Sequence, residues 1–117
     1  MRCVAVHKIG VSEPVAARVA VADRFWLRVR GLLGRLPLEG GEGLLIRPCQ
    51  AVHTIGLRYP IDVAFIDDGG TVVATYPALK PNRRTPWHRD AAWALELPAG
   101  TLEETATSTG QRLRWEA

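Results

Sequence analysis

The stretch Ile61-Asp62-Val63-Ala64-Phe65-Ile66-Asp67-Asp68-Gly69-Gly70-Thr71-Val72-Val73-Ala74-Thr75-Tyr76 decides how this chain is read. Ile61, Val63 and Phe65 alternate with Asp62, Ala64 and Ile66, which is the period-2 pattern of a strand. Asp68-Gly69-Gly70 then supplies a turn, because glycine takes positive φ without a steric cost. Thr71 to Tyr76 reads as the return strand. Residues 60–76 are therefore predicted to be a β-hairpin, and the flanking sequence is read outward from it.

Upstream, Leu44-Leu45-Ile46 is a short apolar run that suits a buried strand, preceded by the flexible turn Glu39-Gly40-Gly41-Glu42-Gly43. Residues 2–8 and Val15 to Val21 read as two further strands separated by Ser12-Glu13-Pro14. Between them and Leu44, Asp23 is placed to cap a helix over 23–33. Phe25, Val29, Leu32 and Leu33 fall at helical spacing there, and Gly34 and Pro37 stop it. Gly31 inside that helix costs about 1 kcal/mol relative to alanine, which suggests close backbone approach.

Downstream, Pro77 to Arg89 is a polar loop. Ala91 to Leu97 reads as a strand with Trp93, Leu95 and Leu97 on one face. Thr101-Leu102-Glu103-Glu104 reads as a short helix start, with Thr101 as cap and Glu104 at the capping-box position. Gln111 to Trp115 closes the chain as a last strand. One helix among five to seven strands gives an α+β, mostly β domain: a curled sheet or partial barrel packed on that one main helix. At 117 residues, positions 1–117 are expected to form one domain around one core.

Composition narrows the function classes. The net charge of +3 and a sequence pI of about 9.3 suit an acidic partner but fall short of a nucleic-acid footprint. Thirteen of the fifteen basic residues are arginine, which a GC-rich coding bias explains for most of them, the alternative being recognition of carboxylates or phosphates by planar forks. Two cysteines, Cys3 and Cys49, make no disulfide framework, and a reduced, cytoplasmic setting is the expectation. No basic-then-apolar leader opens the sequence, and no apolar run approaches the roughly 20 residues of a membrane span.

The candidate site residues cluster just before the hairpin, in Pro48-Cys49-Gln50-Ala51-Val52-His53-Thr54-Ile55-Gly56-Leu57-Arg58-Tyr59-Pro60-Ile61-Asp62. Arg58 lies four residues before Asp62 and is the natural partner for a bidentate clamp, the alternative being a ligand-facing carboxylate. Cys49 and His53 have i, i+4 spacing and would project together if Pro48 opened a helical turn. They could then ligate zinc, with Asp62 or Glu96 as third ligand and water as fourth. Alternatively His53 would activate Cys49 as a nucleophile, with Asp62 orienting the imidazole. A single Cys-x-x-x-His does not establish either, so no metal or cofactor is assigned. Glu96, opposite the Trp93-Leu95-Leu97 face, is expected on a solvated outer face or bonded to nearby backbone amides. The loop Lys80 to Arg89 is basic, a composition that can hold a phosphate, a carboxylate or an acidic protein patch but is more commonly a solvated loop, and a tryptophan there, Trp87, usually packs on something.

Four phrases then line up in order: Arg30-Gly31-Leu32-Leu33-Gly34-Arg35, the Tyr59-Pro60-Ile61-Asp62-Val63-Ala64-Phe65-Ile66-Asp67 run, Leu79-Lys80-Pro81-Asn82-Arg83, and Leu95-Glu96-Leu97-Pro98-Ala99-Gly100. Together they resemble the bacterial and archaeal family known as domain of unknown function 192, over about residues 14–115. The resemblance implies a compact, β-rich α+β domain, often found alone and sometimes behind a secretion signal, with no established activity. This chain departs from the commoner pattern at His53-Thr54, where many relatives carry an aromatic-Met pair, and at Leu57, where Met is usual. The Pro-Cys-x-x-x-His-Thr loop marks a subgroup.

The reading that follows is a small domain binding a small ligand or a protein partner. The groove would be lined by Cys49, His53, Thr54, Arg58, Asp62, Arg83, Trp87 and Glu96. A Cys/His-dependent or zinc-dependent enzyme is the first alternative, and a weak nucleic-acid binder the second.

Overall fold

The computed structural model describes residues 2–23 and 38–116. In chain order these form β1 (Cys3–Lys8), β2 (Pro14–Ala22), β3 (Glu42–Ile46), β4 (Ile61–Ile66), β5 (Val72–Leu79), β6 (Trp93–Pro98), a one-turn helix α1 (Thr101–Glu104) and β7 (Leu113–Glu116). The helix expected over 23–33 lies almost wholly outside the described residues. Among the described residues α1 is the one helix, so the helical layer of the expected architecture rests on the sequence alone. No helix there is long and apolar enough to cross a membrane.

The predicted hairpin is present as β4 and β5. Its turn is built by Asp67, whose Oδ1 accepts the N–H groups of Gly69 and Thr71, both at 2.9 Å. An aspartate closing its own backbone in this way is a recurrent turn device. Around the hairpin the strands assemble into one sheet of order β5-β4-β6-β3-β2-β1-β7. Among the described strands only β2 and β3 pair parallel, with Ala20 opposite Leu44. Such a pair cannot be joined by a tight hairpin.

The sheet curls until its two edges nearly meet. Thr71 bridges Arg112, Val72 donates to Gln111 O at 2.8 Å, and Leu113 donates to Gly70 O at 2.8 Å. Gly70 has φ 91°, and a Cβ placed on it would lie 2.6 Å from that same Leu113 carbonyl. The barrel is not closed: β5 and β7 end the strand order and form no ladder with each other. Pro77 and Ala78, the latter at φ 48°, mark the far end of that strand.

Both faces of the sheet are apolar, and they do different jobs. All seven strands send side chains to one face, including Val6, Val19, Leu45, Ile66, Leu95 and Leu113, and Leu102 of α1 joins them. A cluster fed by every strand is the core around which a curled sheet closes. The opposite face is fed chiefly by the central strands, through Ala22, Leu44, Ile46, Ile61, Val63, Phe65 and Ala94. Val52 and Ala91 cap it from the loops, with Cys49, Leu57 and Tyr59 packed alongside. Every residue of β4 is buried, since the strand is covered on both faces.

Candidate functional site

Asp62 and Glu96 are the two buried carboxyls of the sheet, and the pleat sends them to opposite faces. Asp62 pairs with Leu97 across β4 and β6, while Glu96 pairs with Val63. Asp62 is fully buried on the side of the curled core, next to α1. Its Oδ1 accepts the Ala78 N–H at 2.8 Å and its Oδ2 accepts the Leu102 N–H at 2.8 Å. Leu102 is the second residue of α1, so Asp62 does from a distance what an N-cap side chain does locally. The expected cap, Thr101, is buried inside the helix instead. The N-cap is Gly100 at φ 97°, which has no side chain to offer.

This arrangement corrects the expected Arg58–Asp62 clamp. Arg58 is exposed, and no ion pair joins it to Asp62 among the described residues. The clamp exists, but its jaws are backbone amides of β5 and α1. Backbone N–H groups are the better partners here, because a buried guanidinium would itself need desolvation.

Glu96 corrects a second expectation. It is 5% exposed and not on a solvated face. It stands on the central-strand face between Leu44 of β3 and Val63 of β4. Among the described residues its Oε1 has no hydrogen-bond partner. Desolvation by burial raises its pKa to about 7, so the carboxyl sits at the edge of ionisation near neutral pH. Native proteins satisfy nearly all buried polar atoms, and an exception calls for an explanation.

The segment that covers this face is held as an irregular ribbon against residues 82–88. Thr54 is its main pin. The Thr54 hydroxyl donates to Lys80 O at 2.6 Å and accepts the Arg83 N–H at 2.9 Å, while the Thr54 N–H donates to Arg83 O at 2.8 Å. Thr85 N–H donates to Val52 O at 2.9 Å, and His88 N–H to Gln50 O at 2.7 Å. His53 bridges Arg84 across the ribbon. Extended pairing alternates the side chains: Val52 and Thr54 are buried, and His53 is exposed.

That geometry removes the helical turn expected from Pro48, and with it the convergence of Cys49 and His53. The Cys49 thiol donates to Ala51 O at 3.2 Å and packs on the central-strand face, while His53 faces outward. Among the described residues no three His, Cys, Asp or Glu side chains gather as a metal site. Arg83 is exposed, and Trp87, expected to pack, is 69% exposed. Of the eight candidate residues, Cys49 and Glu96 share the central-strand face and Thr54 braces its cover. His53, Arg58, Arg83 and Trp87 stand outside, and Asp62 lies across the sheet.

Two residues escaped the sequence reading. His88 packs its ring on Phe65 at 4.5 Å between centroids and shares a 2.6 Å hydrogen bond with the Tyr76 hydroxyl. Tyr76 in turn meets Phe65 edge-on at 5.9 Å. This trio anchors the Arg83–Arg89 loop to the sheet. The aromatic content of β4 and β5 was visible beforehand, but nothing in the sequence linked it to a histidine twelve residues on.

Comparison with known proteins places the chain. The family profile of DUF192, described as "Uncharacterized ACR", matches residues 6–115. The chain belongs to this family. UPF0127 protein PF1050 of Pyrococcus furiosus is 33% identical over 112 residues, covering 88% of this chain and 90% of that protein. Among solved structures, a Novosphingobium aromaticivorans protein of unknown function superposes with a TM-score of 0.81 at 20% identity, covering 97% of this chain and 84% of that one. A Sinorhizobium meliloti protein described as a "putative transcription regulator" gives 0.78 at 24% identity, with 97% and 92% covered. At these identities the two structures share the fold of this chain, and the similarity extends to the fold alone.

Proposed function

We propose that this DUF192 chain is a binding domain that holds a small ligand against the central-strand face, anchored by the Glu96 carboxyl. One observation carries the reading: among the described residues, Glu96 Oε1 is buried without a partner. Asp62, on the adjacent strand, has both oxygens satisfied. Leaving a buried polar atom unpaired costs about 1–3 kcal/mol. A fold that satisfies one carboxyl and leaves its neighbour open fits a site completed by a ligand.

The surroundings define the ligand class. Leu44 and Val63 flank Glu96, and Cys49, Leu57 and Tyr59 pack on the same face from the 48–60 segment. The ligand is therefore a largely apolar molecule carrying one N–H or O–H donor for the carboxyl. Because Glu96 is poised near neutrality, it can meet an amine as a carboxylate or an amide as an acid. The enzyme alternative has no comparable support, since the Cys49 thiol and His53 point to different partners.

Native mass spectrometry of the purified protein, followed by thermal shift against straight-chain amines and amides, tests the reading. A bound small molecule, or a rise in melting temperature with chain length that Glu96→Leu abolishes, is the expected result. A wild-type protein that carries nothing and responds to the panel no differently from Glu96→Leu would end it.

A further inference from the structure

The outward side of the ribbon presents a surface that the Glu96 site does not use. Segments 48–60 and 80–90 together hold five basic residues, Arg58, Lys80, Arg83, Arg84 and Arg89, against one acidic residue, Asp90. That excess exceeds the net charge of +3 carried by the whole chain, so the positive charge is concentrated here. Among the described residues none of the five forms an ion pair; the ion pairs there are Arg2–Asp23 and Arg47–Asp68. Among these charges stand Trp87 at 69% exposed and Ile55 at 44% exposed. An exposed tryptophan is a large apolar surface left in water, on a loop that is otherwise pinned by backbone hydrogen bonds to Gln50, Val52 and Thr54.

We infer that this ribbon face is a docking surface for an acidic protein segment, with arginines pairing its carboxylates and Trp87 receiving an apolar side chain. Charge complementarity sets the sign of the partner. Tryptophan and arginine are the residues that dominate protein interfaces, and here exposed Arg83, Arg84 and Arg89 lie within four residues of Trp87 along the loop. Guanidinium forks suit carboxylates through paired hydrogen bonds. Single-stranded nucleic acid is the less fitting occupant, because it calls for a series of stacking platforms and, among the described residues, the exposed aromatic rings of this face are Trp87 and the smaller His53 imidazole. The aliphatic Ile55 adds nothing to base recognition. The loop is already ordered by the Thr54, Thr85 and His88 backbone bonds, so little conformational freedom is lost on docking.

The test is fluorescence anisotropy of the full chain with a labelled peptide that alternates Asp-Glu pairs with Leu and Phe. The same peptide with Gln and Asn in place of the acids is the charge control. Trp87→Ala and Arg84→Glu are the probing variants, and Arg18→Glu, an equal charge change at an exposed position on β2, is the reference. Binding of the acidic peptide, weakened about tenfold by each probing variant and not by Arg18→Glu, supports the surface. Equal weakening by Arg18→Glu would reduce the effect to net charge and overturn it. So would a silent Trp87→Ala, no binding at low salt, or tighter binding of an oligothymidylate than of the acidic peptide. None of these outcomes depends on Glu96, so this surface and the ligand site stand or fall separately.

Discussion

Asp62 and Glu96 occupy adjacent strands one residue out of register and face opposite sides of the same sheet. Asp62 accepts two backbone N–H groups at 2.8 Å, while Glu96 keeps an oxygen with no partner among the described residues. Two carboxyls of similar burial thus have opposite consequences for stability, and each consequence can be measured.

Glu96 makes the fold less stable as pH rises. Its pKa is about 7 in the folded protein against 4.5 for the free group. Between those values the folded state holds a proton that the unfolded state has lost. The stability is therefore complete below about pH 4.5 and is lost as pH climbs through 7. The full difference is on the order of 3 kcal/mol. Urea denaturation of wild type across this range is expected to show the decline, and Glu96→Gln is expected to flatten it.

Asp62 does the reverse job, tying three elements together. Asp62→Ala removes the acceptor for Ala78 and Leu102 and leaves two N–H groups unsatisfied, at a cost of roughly 2–5 kcal/mol. Hydrogen exchange locates the damage: the Leu102 amide is expected to lose protection first, because α1 has no other side-chain cap. Arg58→Ala, by contrast, is expected to leave stability unchanged within about 0.5 kcal/mol.

Thr54 is expected to tolerate serine and resist valine. Thr54→Val keeps the shape but strands the Lys80 carbonyl and the Arg83 N–H, costing roughly 1–3 kcal/mol. Thr54→Ser restores both bonds. Limited proteolysis between Lys80 and Arg84, compared across the three proteins, reads the loop directly.

Gly70→Ala attacks the seam between the two edges. The added Cβ would meet the Leu113 carbonyl at 2.6 Å, and the residue sits at φ 91°. Backbone on both sides leaves no flexible group to yield. A loss of more than about 2 kcal/mol in thermal or urea unfolding is the expected result, with β7 released from the turn.

The hairpin was legible because its signals are local. Alternation over Ile61–Ile66 and glycines at 69 and 70 needed nothing from elsewhere in the chain. Asp62 was legible as a brace and misread in its partner, since Ala78 and Leu102 lie 16 and 40 residues away and backbone amides leave no mark in a sequence. Glu96 was placed on the correct side of its strand by parity. Parity names the face and is silent on what covers it, and here the second face is covered as well. Cys49 and His53 were paired on helical spacing, whereas the chain there is extended and spacing of four puts them to different uses. Trp87 was expected to pack; its exposure is a property of the assembled surface, not of the residue.

The near-meeting of the sheet edges bears on how this molecule behaves in a crowd. An open sheet offers unpaired backbone groups on which other chains can grow as added strands. Here residues 70–72 are already bonded to residues 110–113. At the far end of β5, Pro77 has no N–H to give and Ala78 turns left-handed. At high concentration the chain is guarded along this edge against fibrillar self-association, and contacts with its neighbours fall to side chains.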